Sequence, residues 1–289
     1  MRARVAAAVV VLAGSALPVT QATPVAAVAA PGTYAYVANS NGTTVSVIDT
    51  TLVRPAVVDT VTVGLAPRAV AMNPAGTRVY VTNEFSDTVS VIDTATNTRI
   101  LPDITVGSSP VGVAVNPAGT RVYVTNLGSD TVSVIDTATN TRILPDITVG
   151  SGPFGVAVNP AGTRAYITNG NGTTVSVIDT SDNSVTATIG SFTLPSAVAV
   201  NPAGTRAYVT NQSGTVSVID TATNTPVPPD ITVGSGTTGV AVNPAGTRAY
   251  VTNSASGTVS VIDTSDNSVT ATIGSFTLPS AVAVNPAGT

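Results

Sequence analysis

Few side chains in this chain could carry chemistry. The only Glu, Glu84, stands three residues before Asp87, and Asp130 holds the place of Asp87 in the next copy of the same stretch. Paired carboxylates could share acid–base work or offer hard oxygen ligands to Ca²⁺. Neither reading has a diagnostic spacing here, so no catalytic residue and no metal ligand is assigned. His, Cys and Trp are absent, and every basic residue is Arg. That removes the commonest general base, the commonest transition-metal ligand and all thiolates. No cofactor is implied, and the expectation is a protein that is not an enzyme.

Two further sets of residues remain. Arg78 and Asp93, Arg121 and Asp136, Arg164 and Asp179, Arg206 and Asp220, and Arg248 and Asp263 recur at matching positions. If Asn83 faces Thr88 across a turn, antiparallel pairing sets each Arg opposite its Asp. Such cross-strand pairs pin register, and their charges cancel instead of forming a binding ring. The four Phe (Phe85, Phe154, Phe192 and Phe276) are the other set. Aromatic side chains anchor interfaces. The competing reading is that the rings plug gaps between structural units.

The elements that must position these residues are repeats. Asn73-Pro-Ala-Gly-Thr-Arg-Val-Tyr-Val-Thr-Asn83, a short gap, then Thr88-Val-Ser-Val-Ile-Asp-Thr94 is a pattern the chain uses six times. Its Tyr recurs as Tyr36, Tyr80, Tyr123, Tyr166, Tyr208 and Tyr250, at spacings of 44, 43, 43, 42 and 42 residues. A period of this length built from β-type runs points to propeller blades. In the second copy the runs are Arg68–Met72, Arg78–Thr82, Val89–Asp93 and Ile100–Val106, rich in Val, Ile, Thr and Tyr and punctuated by Gly, Pro, Asn and Asp. Pro74 and Gly76 supply the backbone angles of one corner. The predicted fold class is therefore all-β, a propeller of four-stranded blades. The chain starts on a second strand and ends on a first strand, Ala281–Val284, so six blades can be closed by that C-terminal strand.

Tyr-Val-Thr-Asn followed by Val-Ser-Val-Ile-Asp-Thr resembles the YVTN family of propeller repeats found in microbial surface-layer and secreted proteins. The resemblance covers roughly residues 34 to 289. It implies a propeller outside the membrane, with no known reaction and no catalytic residues to carry over. The family's habits also keep open a truncated arc of a seven-bladed propeller.

Composition agrees with a single ring. Hydrophobic residues make up 43% of the 289, which excludes a disordered chain, and only 4% are aromatic, so small β-branched side chains must fill the core. A net charge of −4 with scattered Arg gives no footprint for nucleic acid. Residues 1–29 have the grammar of a secretory signal peptide: a basic start, an apolar run from Val5 to about Ala13, and Ala27-Val28-Ala29 as an A-x-A site. That leaves residues 30–289 as the propeller, secreted or on the cell surface, monomeric, with no membrane span once the leader is removed.

The Asn-Pro-Ala-Gly-Thr and Asp-Thr corners share one face and barely vary, whereas connections on the opposite face differ between copies. Glu84, Phe85, Asp87, Asp130, Phe154, Phe192 and Phe276 all fall on that variable face, the expected place for recognition of a protein or glycan of the cell envelope. The function so expected is a non-catalytic binding or structural module. The alternative is a propeller hydrolase of lactonase type, an analogy of fold only.

Overall fold

The structure, a computed structural model, describes residues 34–284. The leader assigned to residues 1–29 lies outside them. Twenty-three strands among the described residues form six antiparallel sheets, five of four strands and a first one of three. Each sheet is a meander, and the sheets are six blades of a β-propeller. In blade two the strands run Pro67–Met72, Arg78–Asn83, Thr88–Asp93 and Thr98–Thr105, inner to outer. The inner strands of blades two to six (Pro67–Met72, Pro110–Val115, Pro153–Val158, Pro195–Val200 and Thr237–Val242) lie side by side around the axis. The expected register holds: Asn83 faces Thr88, and all five Arg positions face their Asp.

The core lies between blades, not within one. Tyr80, Val89, Val91 and Ile104 of blade two pack against Val122, Val124 and Ile135 of blade three, and the four other clusters repeat this junction. Each of blades two to five thus has a trailing face (Tyr, Val, Val, Ile) and a leading face (Val or Ala, Val or Ile, Ile). Both are buried, which is why the strands alternate so weakly in sequence. Each buried Val or Ile contributes roughly 1.5–3 kcal/mol.

The invariant corners are tied together. Asn73 Oδ1 accepts the Thr77 and Arg78 amides, and Gly76 takes φ 68°, where a side chain would strain the turn. Thr94 then donates its hydroxyl to the Gly76 carbonyl at 2.7 Å, joining the Asp-Thr corner to the Asn-Pro-Ala-Gly-Thr corner on one face.

The C-terminal segment differs from expectation. Ala281–Val284 forms no strand, and the first sheet keeps only Tyr34–Asn39, Thr44–Asp49 and Ala56–Thr62. The segment does follow blade six. A Cβ on Gly239 would stand 3.0 Å from Ala281 Cα, as one on Gly155 would from Ala197 Cα. What is missing is a partner in blade one. In blades two to six the Thr of Tyr-Val/Ile-Thr-Asn accepts an inner-strand amide: Ala69 to Thr82, Gly112 to Thr125, Gly155 to Thr168, Ala197 to Thr210, Gly239 to Thr252. Blade one has Ala38 in that place, so the Ala281 amide meets no hydroxyl there.

Candidate recognition face

The variable loops gather on the face opposite the invariant corners, as the alternation of connections requires. Their backbones are stitched together, with the Glu84 amide on the Ala66 carbonyl and the Leu127 amide on the Ser109 carbonyl. The three carboxylates expected here are brought to this face but are not brought together. Asp87 Oδ1 accepts the Ser109 amide at 2.7 Å, and Asp130 Oδ1 accepts the Gly152 amide at 2.7 Å. Both acids sit at positive φ in tight turns and hold the loop that leads into the following blade. Glu84 is largely buried and pairs with Arg68 Nε at 3.2 Å.

The four Phe have four different environments. Phe85 stands on the loop between the second and third strands of blade two and is 73% exposed. Phe154 begins an inner strand, half-buried at the axial cavity, and its carbonyl accepts Thr125 Oγ1 at 2.7 Å. Phe192 is 3% exposed among Tyr166, Val175, Val177, Ala207, Val209 and Ile219, a plug between blades four and five. Its backbone explains the placement. The Phe192 amide bonds the Thr173 carbonyl as the Val106 amide bonds that of Asp87, so Phe192 fills the slot of Val106. Phe276 holds the same slot in blade six, with its amide on the Gly257 carbonyl, yet it is 45% exposed.

An axial cavity of about 340 Å³ runs between the inner strands, its wall completed by Ser280, Ala281 and Val282. Apolar side chains and Gly112, Gly155 and Gly239 line it, with Arg68 and Gln212 as its long polar groups. Arg68 and Phe154 thus line the axial cavity, and Glu84 is held beside it by Arg68. Arg68 and Gln212 were not among the residues picked from sequence. The signal was there, because Arg68 is the sole charged residue on the five inner strands among the described residues.

The opposite face carries a larger polar hollow of about 830 Å³ between blades four, five and six, lined by Arg164, Arg206, Asp220, Tyr166 and Tyr208 among others. The Arg–Asp register exists at blades two to six, but the ion pairs do not all form. Arg121 meets Asp136 at 2.7 Å and Arg206 meets Asp220, whereas Arg164 donates to the Thr221 carbonyl of the next blade at 2.6 Å. The Asp carboxylates serve first as turn caps. Asp136 Oδ1 accepts the amides of Ala138 and Thr139, and Asp179 Oδ1 accepts the amide and hydroxyl of Ser181. Those hydrogen bonds hold both acids below the usual carboxylate range, with the facing Arg a lesser contributor. Burial pushes the phenols of Tyr80, Tyr123, Tyr166 and Tyr208 up.

A second polar network was not foreseen. Leu101, Pro102 and Asp103 bulge from the outer strand opposite Ser90. This turns Asp103 inward to accept Ser90 Oγ at 2.9 Å and Arg99 Nε at 2.6 Å. Ser90 in turn receives Asn83 Nδ2 at 2.9 Å, and blade three repeats the chain through Asn126, Ser133, Asp146 and Arg142.

No known protein-family profile matches the chain, and no curated protein sequence matches it. Solved structures do. Hydrazine synthase of Kuenenia stuttgartiensis is 24% identical with a TM-score of 0.79, over 89% of this chain and 88% of that one. A functionally unknown protein of Desulfotomaculum acetoxidans is 19% identical with a TM-score of 0.77, over 89% and 87%. A Bacteroides uniformis protein provisionally assigned as a 6-phosphogluconolactonase is 16% identical with a TM-score of 0.74, over 86% and 84%. At these identities the likeness is one of fold, and it places this chain among β-propeller proteins.

Proposed function

We propose that this chain is a secreted or cell-surface propeller of YVTN type that binds a protein or glycan of the cell envelope through its variable-loop face, without catalysis. The observation that carries this reading is Phe85. A large ring 73% exposed on a loop held at both ends is the kind of side chain that anchors an interface. The anchored Glu84–Arg68 pair beside it supplies fixed polar contacts at the axis mouth. The carboxylates of this face support a non-catalytic role, since each is already engaged in positioning loops. The leader at residues 1–29 supports export.

The test is binding of purified propeller to arrayed envelope glycans and to envelope proteins, compared with Phe85→Ala. Loss of binding by about tenfold or more, with folding intact, is the expected result for a central anchor. Unchanged binding, or hydrolysis of a lactone by the purified protein, would overturn the reading. The second of these outcomes would favour a hydrolase like the one its Bacteroides neighbour is provisionally assigned to be.

A further inference from the structure

Arg and Asp on the invariant face are expected to cancel one another, and at the polar hollow between blades four, five and six they do not. The charged groups lining it are Arg164, Arg206 and Asp220. Arg206 and Asp220 neutralise each other. Arg164 is left over. Its partner in register, Asp179, gives Oδ1 to the amide and hydroxyl of Ser181 and does not line the hollow. The Arg164 guanidinium reaches across the junction to a neutral acceptor, the Thr221 carbonyl, at 2.6 Å. Among the described residues it forms no ion pair.

A second observation comes from the Tyr and Asn of each junction. Between blades one and two, Tyr36 Oη donates to Asn97 Oδ1 at 2.6 Å. At the four following junctions the matching atoms do not meet. Oδ1 of Asn140, Asn183, Asn224 and Asn267 is buried without a partner in the chain, and so is Oη of Tyr80, Tyr123 and Tyr166. A buried phenol and a buried carboxamide oxygen held apart are costly. A hydroxyl suits both, because it accepts from the phenol and donates to the amide oxygen. Tyr166 and Asn267 both line the hollow, one from each of the two junctions it spans. Arg164 stands two residues before Tyr166 on the same strand, so both side chains share one face.

The rest of the wall fits a polar ligand. Val227 is the sole aliphatic side chain larger than Ala among the lining residues, which include the carboxamides of Asn159 and Asn201 and the hydroxyls of Thr205 and Ser265. The volume of about 830 Å³ lies within the range of about 300–1,000 Å³ usual for small-molecule sites. The wall runs from Asn159 to Asn267 and takes nothing from the first or last described residues.

We propose that this hollow is a second binding site, for a short oligosaccharide of uronic-acid type, with a carboxylate on Arg164 and hydroxyls on Tyr166 and Asn267. A neutral sugar would leave Arg164 without an anion. A small oxyanion such as phosphate would leave most of the hollow unused and would bring no proton to the Asn267 oxygen. The site is on the face opposite Phe85 and does not rest on the variable-face reading.

The test is calorimetric titration of the purified protein with tetragalacturonate, and with maltotetraose as a neutral sugar of equal length. Tetragalacturonate is expected to bind, less tightly as salt is raised, and maltotetraose to bind about tenfold more weakly or worse. Arg164→Gln is expected to weaken tetragalacturonate about tenfold or more and Tyr166→Phe about fivefold, with β-sheet circular dichroism unchanged in both. Arg164→Lys keeps the charge and is expected to bind better than Arg164→Gln. Phe85→Ala is expected to bind tetragalacturonate unchanged, so failure here and failure of the variable-face reading are told apart. Equal binding of the two sugars, no heat from tetragalacturonate at millimolar concentration, or full binding by folded Arg164→Gln would each overturn the proposal. Inorganic phosphate bound as tightly as tetragalacturonate would overturn it too, by reducing the site to a simple anion contact.

Discussion

The buried hydroxyl of Thr82 donates to the carbonyl of Val111 in the next blade at 3.0 Å while accepting the Ala69 amide of its own blade, also at 3.0 Å. The inner strand has a bulge at this point, with Arg68 and Ala69 together opposing Thr82. One hydroxyl therefore fills the break in a ladder and staples two blades. This is the physical role of the Thr in the recurrent Tyr-Val-Thr-Asn. Thr82→Val keeps the shape and removes both bonds. It is expected to cost about 1–3 kcal/mol by urea denaturation, the range for leaving buried backbone groups unpaired. A cost near zero would mean that the staple is ornamental.

Ala38 is the natural counter-experiment. Ala38→Thr restores the missing hydroxyl opposite Ala281, and the expected outcome is recruitment of Ala281–Val284 into the first sheet. Slower amide exchange at Ala281 is the readout. Exchange no slower than in the unmodified chain would show that the missing hydroxyl is not what keeps the segment away.

Phe85 and Phe192 separate surface from core. Phe192→Ala is expected to cost about 3–5 kcal/mol, because it empties a packed site between blades. Phe85→Ala is expected to change stability by less than about 0.5 kcal/mol. Denaturant midpoints of the two variants decide it, and equal losses would refute this division.

Much of the fold was legible because the repeats state it six times. The pairing of Arg78 with Asp93 followed from the single assumption that Asn83 faces Thr88, and it held in blades two to six. What could not be read depends on single residues or on length. Ala38 differs from its Thr counterparts by one hydroxyl and one methyl, a change that reads as harmless until the amide it leaves unserved is located. Which Phe is a plug and which an anchor stayed open, because Ile189-Gly-Ser-Phe192 is one residue longer than Ile104-Thr-Val106 and spacing does not show where its ring points. The Asp caps were seen as ion-pair partners because spacing shows which strand positions face each other but not which donor is nearer. The exposure of Ile273 left no trace in composition, since its equivalents Ile104, Ile147, Ile189 and Ile231 are buried.

The glycines near the recurrent Asn give a sharp contrast. A Cβ at Gly107 would come within 2.6 Å of Asn126 Nδ2 and of Ser129 Oγ, whereas one at Gly190 would meet nothing within 4 Å. Gly107→Ala is expected to cost about 1–3 kcal/mol by overpacking. Gly190→Ala is expected to stabilise by about 0.4–1 kcal/mol through the unfolded chain. Thermal or urea unfolding of the two variants should therefore shift in opposite directions, and a shift of the same sign in both would contradict the geometry.

The dependence of stability on pH should be set by two residue types alone. Without His, Cys or Lys, no side chain with an ordinary pKa titrates between about pH 5 and pH 9. Asp49, Asp136, Asp179, Asp220 and Asp263 are held below their usual range, chiefly by amides or hydroxyls of the turns they cap. Their contribution is present above the unfolded value of about 3.9 and is lost as pH falls through the depressed folded values. Tyr36, Tyr80, Tyr123, Tyr166 and Tyr208 are displaced upward by burial. Their contribution is complete below the unfolded value of about 10 and is lost as pH rises through the higher folded values. Urea midpoints are therefore expected to be flat from about pH 5 to 9, to fall below about pH 4, and to fall again above about pH 10 as the unfolded chain ionises its phenols first. The alkaline limb is the more telling, because it reports the burial of one Tyr at each packed junction. Absorbance of tyrosinate near that limb should rise together with loss of β-sheet circular dichroism. Phenols that ionise at ordinary pH while the sheet persists would mean that the junctions are not sealed.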